Sequence, residues 1–301
     1  SPLVVPRSEP GVFPQIVDLS FTDPKRELTV STNKIVSPAG EALGFIKFVK
    51  DKTREAELLR SKSEFITIAA HQLRTPLTTI HWVFEGLNGK EKLEAEDREL
   101  VASGLLNSVK LLKIVNDLLD VSRIEEGKFG YDFEQVNIID FLSGILTNAE
   151  AMAKKYEVKF YSDKGGETVV NLMIDANRLG LAISNLVDNA IKYNVKNGSV
   201  TVKLERLPDK PYLQISIKDT GIGIPPEDMP KLFTRFFRTE NAAKMEIEGS
   251  GLGLYIAKNI INRHGGTIWA ESILGRGTTV YFTLPIEPKL IPQKEAPAFS
   301  E

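Results

Sequence analysis

Apolar residues alternate with polar ones in two short segments and then take up helical spacing over a long stretch. Residues 27–36 and 43–49 alternate, which predicts two β-strands joined by a turn. Helical spacing follows from about 52 to 84 and again from about 94 to 125. An interruption at 88–90 separates the two helical segments, so the pattern predicts a helical hairpin.

The first predicted helix carries an apolar face, and His71 lies roughly opposite to it, near the angular position of Trp82. In the second helix, Leu105, Leu112 and Leu119 follow at heptad steps. One hairpin leaves both apolar stripes poorly covered, so we expect a symmetric homodimer that forms a four-helix bundle. The alternative is an intramolecular helical subdomain packed on its neighbour. The apolar face of the first helix consists of Leu58, Phe65, Ala69, Pro76, Ile80, Val83 and Leu87.

Beyond Gly130, helical and alternating segments mix, which predicts an α+β domain with helices over one sheet. Residues 1–26 contain five prolines and indicate an irregular lead-in, whereas 286–301 indicate a flexible tail. The predicted helices cover 138–155, 176–193 and 252–264, with another after Pro225, and the predicted strands cover 157–162, 168–174, 199–206, 212–218, 267–273 and 278–284. The predicted divisions are a lead-in with two strands at 1–50, the hairpin at 51–127, the α+β domain at 128–285 and the tail at 286–301.

Composition excludes several kinds of function. The 301 residues suffice for roughly two domains, and a formal charge of −2 gives no basic field that would indicate nucleic-acid binding. Without cysteine the chain has no disulfide, no thiolate catalysis and no Cys-bound metal. No apolar run reaches the length of about 18 residues that a membrane span needs, so we expect a soluble, cytoplasmic piece. Because the chain begins with Ser1 rather than Met, we interpret it as a fragment whose missing amino-terminal part would carry any membrane anchor.

One predicted helix presents a polar face suited to a metal-bound nucleotide. Asn185, Asn189, Lys192 and Tyr193 follow one another at helical spacing and share this face. An amide oxygen suits Mg²⁺ that phosphates already hold, so Asn189 is the predicted metal ligand. Lys192 would offset phosphate charge, and Asn185 would bond phosphate or metal-bound water. Taken alone, this stretch would favour a solvated polar helix face.

Two glycine-bearing segments complete a candidate pocket for ATP and Mg²⁺. Asp219 ends a predicted strand before Gly221 and Gly223, which allow positive φ and the close approach of a planar ligand. Its carboxylate can accept from an exocyclic amine and so select adenine, although a strand-ending turn is the alternative. The second segment opens the last predicted helix, where free N–H groups face an anion, but a lone glycine triplet is weak support. This segment consists of Gly249, Ser250, Gly251, Leu252 and Gly253.

The order of these motifs resembles one protein family. Residues 185–193 (NLVDNAIKY), 219–225 (DTGIGIP), 232–238 (LFTRFFR) and 249–254 (GSGLGL) resemble the N, G1, F and G2 boxes of sensor histidine kinases. Residues 71–77 (HQLRTPL) resemble the H box of the same family. The resemblance extends over about residues 55–285, and the boxes occur in the family's order.

The resemblance implies a dimerisation and phosphotransfer hairpin followed by a Bergerat-type α/β-sandwich that binds ATP. His71 would take the γ-phosphoryl group and pass it to an aspartate of a response regulator. Arg238 would reach toward the γ-phosphate, and Phe233 and Phe237 would anchor a lid formed by residues 239–248. The two strands at 27–49 resemble the last strands of a PAS-type sensor domain.

Gln72 departs from the family pattern, which commonly has an acidic residue there. An amide cannot stabilise the cation that develops on an attacking imidazole as a carboxylate can, so slow autophosphorylation is expected. Thr75, four residues after His71, could orient a water during dephosphorylation of a partner, or could bond back to the carbonyl of His71. Three functions stay open on the sequence: a histidine kinase, a response-regulator phosphatase with weak kinase activity, and an ATPase that uses ATP only to change shape.

Overall fold

The computed structural model describes residues 2–8, 11–22, 24–88, 94–166, 169–239 and 250–292. The chain divides into two compact units, Ser1–Ile68 and Ala69–Glu301. Each unit is described by itself below. In the parts of the chain that the structure describes, no helix combines the length and the apolarity that a membrane crossing requires.

The first unit contains a four-stranded antiparallel sheet in the order β1-β2-β3-β4. The prediction of an irregular lead-in over 1–26 is therefore wrong, because two paired strands lie there. Leu19 of β2 pairs with Leu28 of β3, and Val30 of β3 pairs with Val49 of β4, which places apolar side chains on one face. The strands are β1 (Leu3–Pro6), β2 (Gln15–Thr22), β3 (Lys25–Val36) and β4 (Ala42–Asp51).

This sheet buries little of its apolar surface. Every residue of β1 to β4 is partly or fully exposed, and Phe48 and Val49 of β4 are 61% and 62% exposed. The sheet leads directly into a long helix, because Asp51 accepts hydrogen bonds from the backbone N–H and the hydroxyl of Thr53. These bonds satisfy donors at the start of the helix.

The predicted hairpin helices are α1 (Thr53–Asn88) and α2 (Ala95–Glu125). In the second unit they meet through a small apolar cluster of Ala70, Val115 and Leu119, against which Leu77 packs. The ring of Phe84 fills the space where a side chain on Gly104 would lie. The predicted apolar face of α1 is correct only in part. The contact to α2 uses Ala70 and Leu77, which the predicted face did not include.

Several apolar side chains of both helices stay exposed within the single chain. On α1, Leu73, Ile80 and Val83 are 52%, 45% and 55% exposed, and Trp82 is 66% exposed, as expected for a residue outside the seam. On α2, Leu106 is 52% exposed. The hairpin therefore leaves an apolar surface that its own two helices do not cover.

The part of the second unit that follows α2, called the C-terminal domain below, is built on a five-stranded sheet in the order β10-β11-β9-β8-β6. Neighbouring strands are antiparallel except β6 and β8, which are parallel. Strands β5 and β7 form a separate pair. The strands are β5 (Glu134–Asn137), β6 (Lys159–Asp163), β7 (Asn171–Ile174), β8 (Ser199–Arg206), β9 (Tyr212–Asp219), β10 (Ile268–Ile273) and β11 (Gly277–Pro285). This arrangement agrees with the predicted α+β class.

Helices cover one face of this sheet, and the core lies between the two layers. The helices are α3 (Ile138–Lys155), α4 (Ala176–Lys192) and α5 (Gly253–Arg263). Alternate residues of β9, namely Leu213, Ile215 and Ile217, are at most 1% exposed. Phe282 of β11 pairs with Ile215 and is fully buried. The apolar residues that alternate along the strands thus pack against the apolar faces of α3 to α5 in one core.

Side-chain caps fix where the helices begin. The side chain of Asn137 accepts a hydrogen bond from the backbone of Ile139 at the start of α3. Asp175 does the same for Arg178 at the start of α4, and its other oxygen accepts from the backbone of Asp132.

Three local features differ from the sequence expectations. The helix expected after Pro225 is only a 3-10 turn at Met229–Lys231, where Pro230 removes a backbone donor. Strand β5 was not predicted. Within the expected tail, Pro288–Leu290 form a 3-10 turn and Arg263 donates to the carbonyl of Pro292, while residues 293–301 lie outside the described residues.

The segment that follows α2 is attached to the C-terminal domain. Phe129 is 2% exposed and belongs to the core of this domain. The guanidinium of Arg178 lies over the Phe129 ring, 3.9 Å from its centroid, and donates to the Phe129 carbonyl. Asp132 is held through Asp175, as described above. The connection between α2 and this segment is only residues 126–128, whose backbone N–H groups donate to carbonyls of the last turn of α2.

Candidate functional site

One end of the candidate site is formed by the last residue of β9. Asp219 continues the buried alternation of this strand and is 8% exposed. Its Oδ1 accepts from the backbone N–H groups of Gly221 and Thr278, at 2.8 and 3.0 Å. Burial raises the pKa of Asp219 to about 6, and the two backbone donors oppose this rise. Both donors bind the same oxygen, so the carboxylate is oriented by its neighbours.

Two glycines beside Asp219 are required by close backbone approaches. A Cβ on Gly221 would lie 2.2 Å from the carbonyl oxygen of Tyr193. Gly223 has a φ of +68°, and its Cβ would lie 2.2 Å from the carbonyl oxygen of Ile273. Any side chain there would displace backbone, which explains the choice of glycine.

The polar face of α4 forms the second wall. Asn185 is 5% exposed, and its Nδ2 has no hydrogen-bond partner among the described residues. A buried amide donor of this kind requires an acceptor, and a ligand oxygen would provide one. Asn189, Lys192 and Tyr193 are partly buried along the same face, and Asp188 lies 3.9 Å from the ammonium of Lys192.

The start of α5 forms the third wall. Gly251 has a φ of +69°, and a Cβ there would meet the backbone of Phe236 at 2.8 Å. Leu252 is 1% exposed and anchors the segment in the core, while a Cβ on Gly253 would come within 3.3 Å of Asn185. The N-cap residue Leu252 makes no side-chain cap hydrogen bond, so within the described part of the chain the first N–H groups of α5 itself are available to an anion. Gly249 and most of the expected lid, residues 240–248, lie outside the described residues.

The F-box residues lie beside this wall. Phe233 packs against the core of the C-terminal domain, and Phe237 is partly buried. Arg238 is exposed. Arg235 of the same segment forms an ion pair with Glu125 at the end of α2.

One cavity of about 1040 Å³ joins these walls. Its volume is sufficient for a nucleotide. Gly221, Phe233 and Leu252 support the walls from outside the cavity lining. The predicted residues that line the cavity are Asn185, Asn189, Lys192, Tyr193, Asp219, Gly223, Phe237, Arg238, Ser250, Gly251 and Gly253.

Sequence reasoning missed a fourth wall, which α2 provides. Lys110, Lys113 and Asp117 line the cavity together with apolar residues of the same helix. Asp117 accepts a hydrogen bond from the hydroxyl of Ser250 at 2.9 Å, and the ammonium of Lys113 lies 3.7 Å from Asp188. The only signal in the sequence is a pair of aspartates, at 117 and 120, among apolar residues of α2. Thr278 was missed as well, because it contributes a backbone donor.

Of the candidate acceptor residues, Gln72 and Thr75 do not line this cavity. The backbone of His71 belongs to α1, and its side chain lies outside the described residues. Gln72 and Thr75 are exposed on the same helix. The other two histidines have structural partners: His81 bonds Ser108, and His264, which is 1% exposed, accepts from the backbone of Asp175. Burial lowers the pKa of His264, which keeps this imidazole neutral.

Comparison with known protein families accounts for both regions. A family model described as the His Kinase A (phospho-acceptor) domain matches residues 61–127, and one described as the histidine kinase-, DNA gyrase B-, and HSP90-like ATPase matches residues 174–288. The chain is 34% identical over 272 residues to the sensor histidine kinase WalK of Bacillus subtilis (strain 168). This chain is a sensor histidine kinase sequence. The resemblance that the motifs indicated is thereby confirmed.

These relatives are longer than this chain. The alignment with the Bacillus subtilis sensor histidine kinase covers 90% of this chain and 44% of the relative. The sensor protein kinase WalK of Staphylococcus aureus is 32% identical over 262 residues, which covers 86% of this chain and 62% of the relative. The chain therefore spans about half the length of the curated relatives it matches.

Solved structures of histidine kinases share the fold. Full-length ShkA, crystallised in complex with AMPPNP, is 25% identical and superimposes with a TM-score of 0.63, covering 74% of this chain and 45% of ShkA. The histidine kinase ThkA in complex with the response regulator protein TrrA has a TM-score of 0.52 at 21% identity, covering 91% of this chain and 80% of that one. This second likeness bears on the fold alone.

Proposed function

We propose that this chain is the catalytic core of a sensor histidine kinase, which transfers the γ-phosphoryl group of ATP to His71. In this step the bond between the γ-phosphorus and its bridging oxygen breaks, a P–N bond to the imidazole forms, and ADP leaves. The observation that carries the proposal is one cavity where Asp219, the start of α5 and the buried amide of Asn185 meet, the amide having no hydrogen-bond partner among the described residues. The exocyclic amine of adenine could donate to Asp219, and phosphate oxygens could accept from the Asn185 amide. The negative charge of the phosphates matches the start of α5.

The residues fit a magnesium-bound nucleotide. Asn189 would supply a neutral oxygen ligand to Mg²⁺, and Asn185 would donate to phosphate or to metal-bound water. Mg²⁺ would neutralise phosphate charge as it develops. Lys192 and Arg238, which both line the cavity, would offset the remaining charge, and Tyr193 completes the α4 face. The supporting observation is the donor that Asn185 directs into its buried surroundings without a partner.

The proposed roles of the other regions of the chain follow the predicted domain division. Residues 51–127 would form the dimerisation and phosphotransfer hairpin, 128–285 the catalytic domain, and the sheet of 1–50 part of a PAS-like sensor region. The exposed apolar residues of α1 and α2 support a homodimer with a four-helix bundle, because a second hairpin would cover them. A response-regulator aspartate would then accept the phosphoryl group from His71, as the relatives' family role suggests.

A second candidate is a response-regulator phosphatase with weak kinase activity. Gln72 favours it, because an amide gives the attacking histidine less help than a carboxylate, and the exposed Thr75 remains on the same helix. Both functions would use the same chain and the same cavity. They differ in whether His71 is phosphorylated fast enough for the phosphorylated form to accumulate.

Incubation with γ-labelled ATP and Mg²⁺ tests these functions. The kinase proposal expects acid-labile, base-stable label that His71→Ala removes, whereas His81→Ala, a matched change on the same helix, retains it. No label together with rapid dephosphorylation of a phosphorylated receiver would support the phosphatase instead. Free phosphate without any labelled protein would contradict both and would indicate an ATPase.

A further inference from the structure

Helix α2 contacts the segment that is expected to bind phosphates. The hydroxyl of Ser250 donates to the Oδ2 of Asp117 at 2.9 Å and lies 3.3 Å from the backbone nitrogen of Leu252, which donates to it. Asp117 belongs to α2 and is 6% exposed, so this contact is shielded from water. A single hydroxyl thus connects α2 with the residue that precedes α5.

The cavity has a base end and a phosphate end, and Asp117 lies at the phosphate end. Asp219 and Thr278 mark the base end, where the last residue of β9 meets the start of β11. Ser250, Gly251 and the start of α5 mark the other end, where helix donors suit an anion. Since Asp117 bonds Ser250, a nucleotide's outer phosphates would lie nearer to this carboxylate than its base.

The carboxylate of Asp117 is already in an unfavourable environment for a negative charge. Burial raises its pKa, while the Ser250 hydroxyl and the charges of Lys113 and Lys192 oppose the rise. Added negative charge in the same cavity would raise the cost of the ionised carboxylate further. The terminal phosphate distinguishes ATP from ADP, and it adds most of its charge at this end of the cavity.

We propose that Asp117 is a specificity-determining residue that weakens the binding of ATP relative to ADP as long as its contact with Ser250 holds. The inference rests on the proposed nucleotide site. Like charges in a partly desolvated cavity repel, so a third phosphate and the Asp117–Ser250 contact oppose each other. Binding of ATP therefore weakens the Asp117–Ser250 contact between α2 and the segment before α5, whereas binding of ADP leaves this contact intact. Asp117 acts through Ser250 and makes no contact with the reacting atoms.

The test is equilibrium binding of AMPPNP and of ADP, in magnesium buffer, to the full 301-residue chain and its variants. Asp117→Asn removes the charge but keeps an oxygen that accepts from Ser250. We expect the ratio of the ADP to the AMPPNP dissociation constant to rise about fivefold to tenfold in this variant. Asp120→Asn is the matched control, because Asp120 lies on the same helix, its pKa is also raised by burial, and it does not line the cavity.

A second variant separates the charge from the hydrogen bond. Ser250→Ala removes the bond that holds the carboxylate at the phosphate end but leaves its charge. We therefore expect the ratio of the ADP to the AMPPNP dissociation constant to rise in this variant too, by less than in Asp117→Asn. An unchanged ratio in Asp117→Asn, or the same rise in Asp120→Asn, would overturn the inference. If the unchanged chain binds neither nucleotide, the proposed function fails instead, so the two failures are distinguishable.

Discussion

The C-terminal domain and the helical hairpin bury apolar surface to very different degrees. In the domain, strands and helices converge on a core whose central residues, such as Phe282 and Ile215, are fully buried. In the hairpin, three buried residues and Leu77 form the contact between α1 and α2, while Leu73 and Ile80 remain about half exposed. The domain is therefore complete within one chain, whereas the hairpin has the surface of a structure that needs a further partner.

The largest expected effect concerns the cost of truncating an apolar side chain in each region. Phe282→Ala should lower the free energy of unfolding by about 3–5 kcal/mol, because it leaves a cavity in a closed core. Leu73→Ala should cost less than about 0.5 kcal/mol at low protein concentration, where its side chain is exposed. Chemical denaturation of the two variants measures both values.

Protein concentration sharpens this comparison. If a second hairpin covers Leu73, the cost of Leu73→Ala grows as the concentration is raised, while the cost of Phe282→Ala does not. Equal costs for the two variants at every concentration would show that the hairpin is as complete as the C-terminal domain.

The second prediction concerns charge burial in the C-terminal domain. The pKa of Asp219 is about 6 in the folded protein, against an ordinary value of 3.8, so the folded state binds the proton more tightly than the unfolded chain. The stability contributed by this proton is fully present below about pH 4 and is lost as the pH rises through about 6. Asp219→Asn should not show this loss, and the difference between the two proteins should change by up to about 3 kcal/mol.

The free energy of unfolding, measured by denaturation from roughly pH 3.5 to 7, tests this prediction, because this range includes both pKa values. The matched control is Asp209→Asn, since Asp209 is an exposed residue of the same domain. A difference between the unchanged chain and Asp219→Asn that does not vary with pH would contradict the raised pKa.

The smallest expected effect concerns the hairpin's own chemistry. Gln72→Glu should accelerate autophosphorylation about tenfold, because a carboxylate beside His71 would stabilise the imidazole as it becomes cationic. Gln135→Glu makes the same change at an exposed position of β5 and should leave the rate unaltered. Initial rates with γ-labelled ATP measure both, and an equal or lower rate in Gln72→Glu would show that another group assists His71.

The contrast between the two regions also explains which features could be predicted from the sequence. The pocket residues could be predicted because each lies in a short segment whose pattern carries its own chemistry, such as the α4 face around Asn185 or the glycines after Asp219. The core strands β8 and β9 could be predicted because strict alternation reports a sheet with one buried face. These signals are local, and they need no knowledge of distant residues.

The features that were missed depend on partners far along the chain. Strand β1 ends in Pro6 and β2 directly follows Pro14. Both strands show little contrast between their faces, and their pairing is visible only in the folded sheet. Asp117 meets Ser250 across 133 residues, and no periodicity of α2 reports such a contact. The helix expected after Pro225 shortens to a turn because Pro230 lacks a backbone donor.

The anchored segment after α2 has a consequence for the reaction's geometry. From Glu125 to the buried Phe129 the chain can span at most about 14 Å. In the proposed phosphoryl transfer, a nucleotide bound so near to the hairpin would meet its acceptor at a local concentration on the order of millimolar. A histidine on a separate, freely diffusing chain at micromolar concentration would compete poorly. The short connection would thus favour phosphorylation within the assembly over phosphorylation of an unrelated chain.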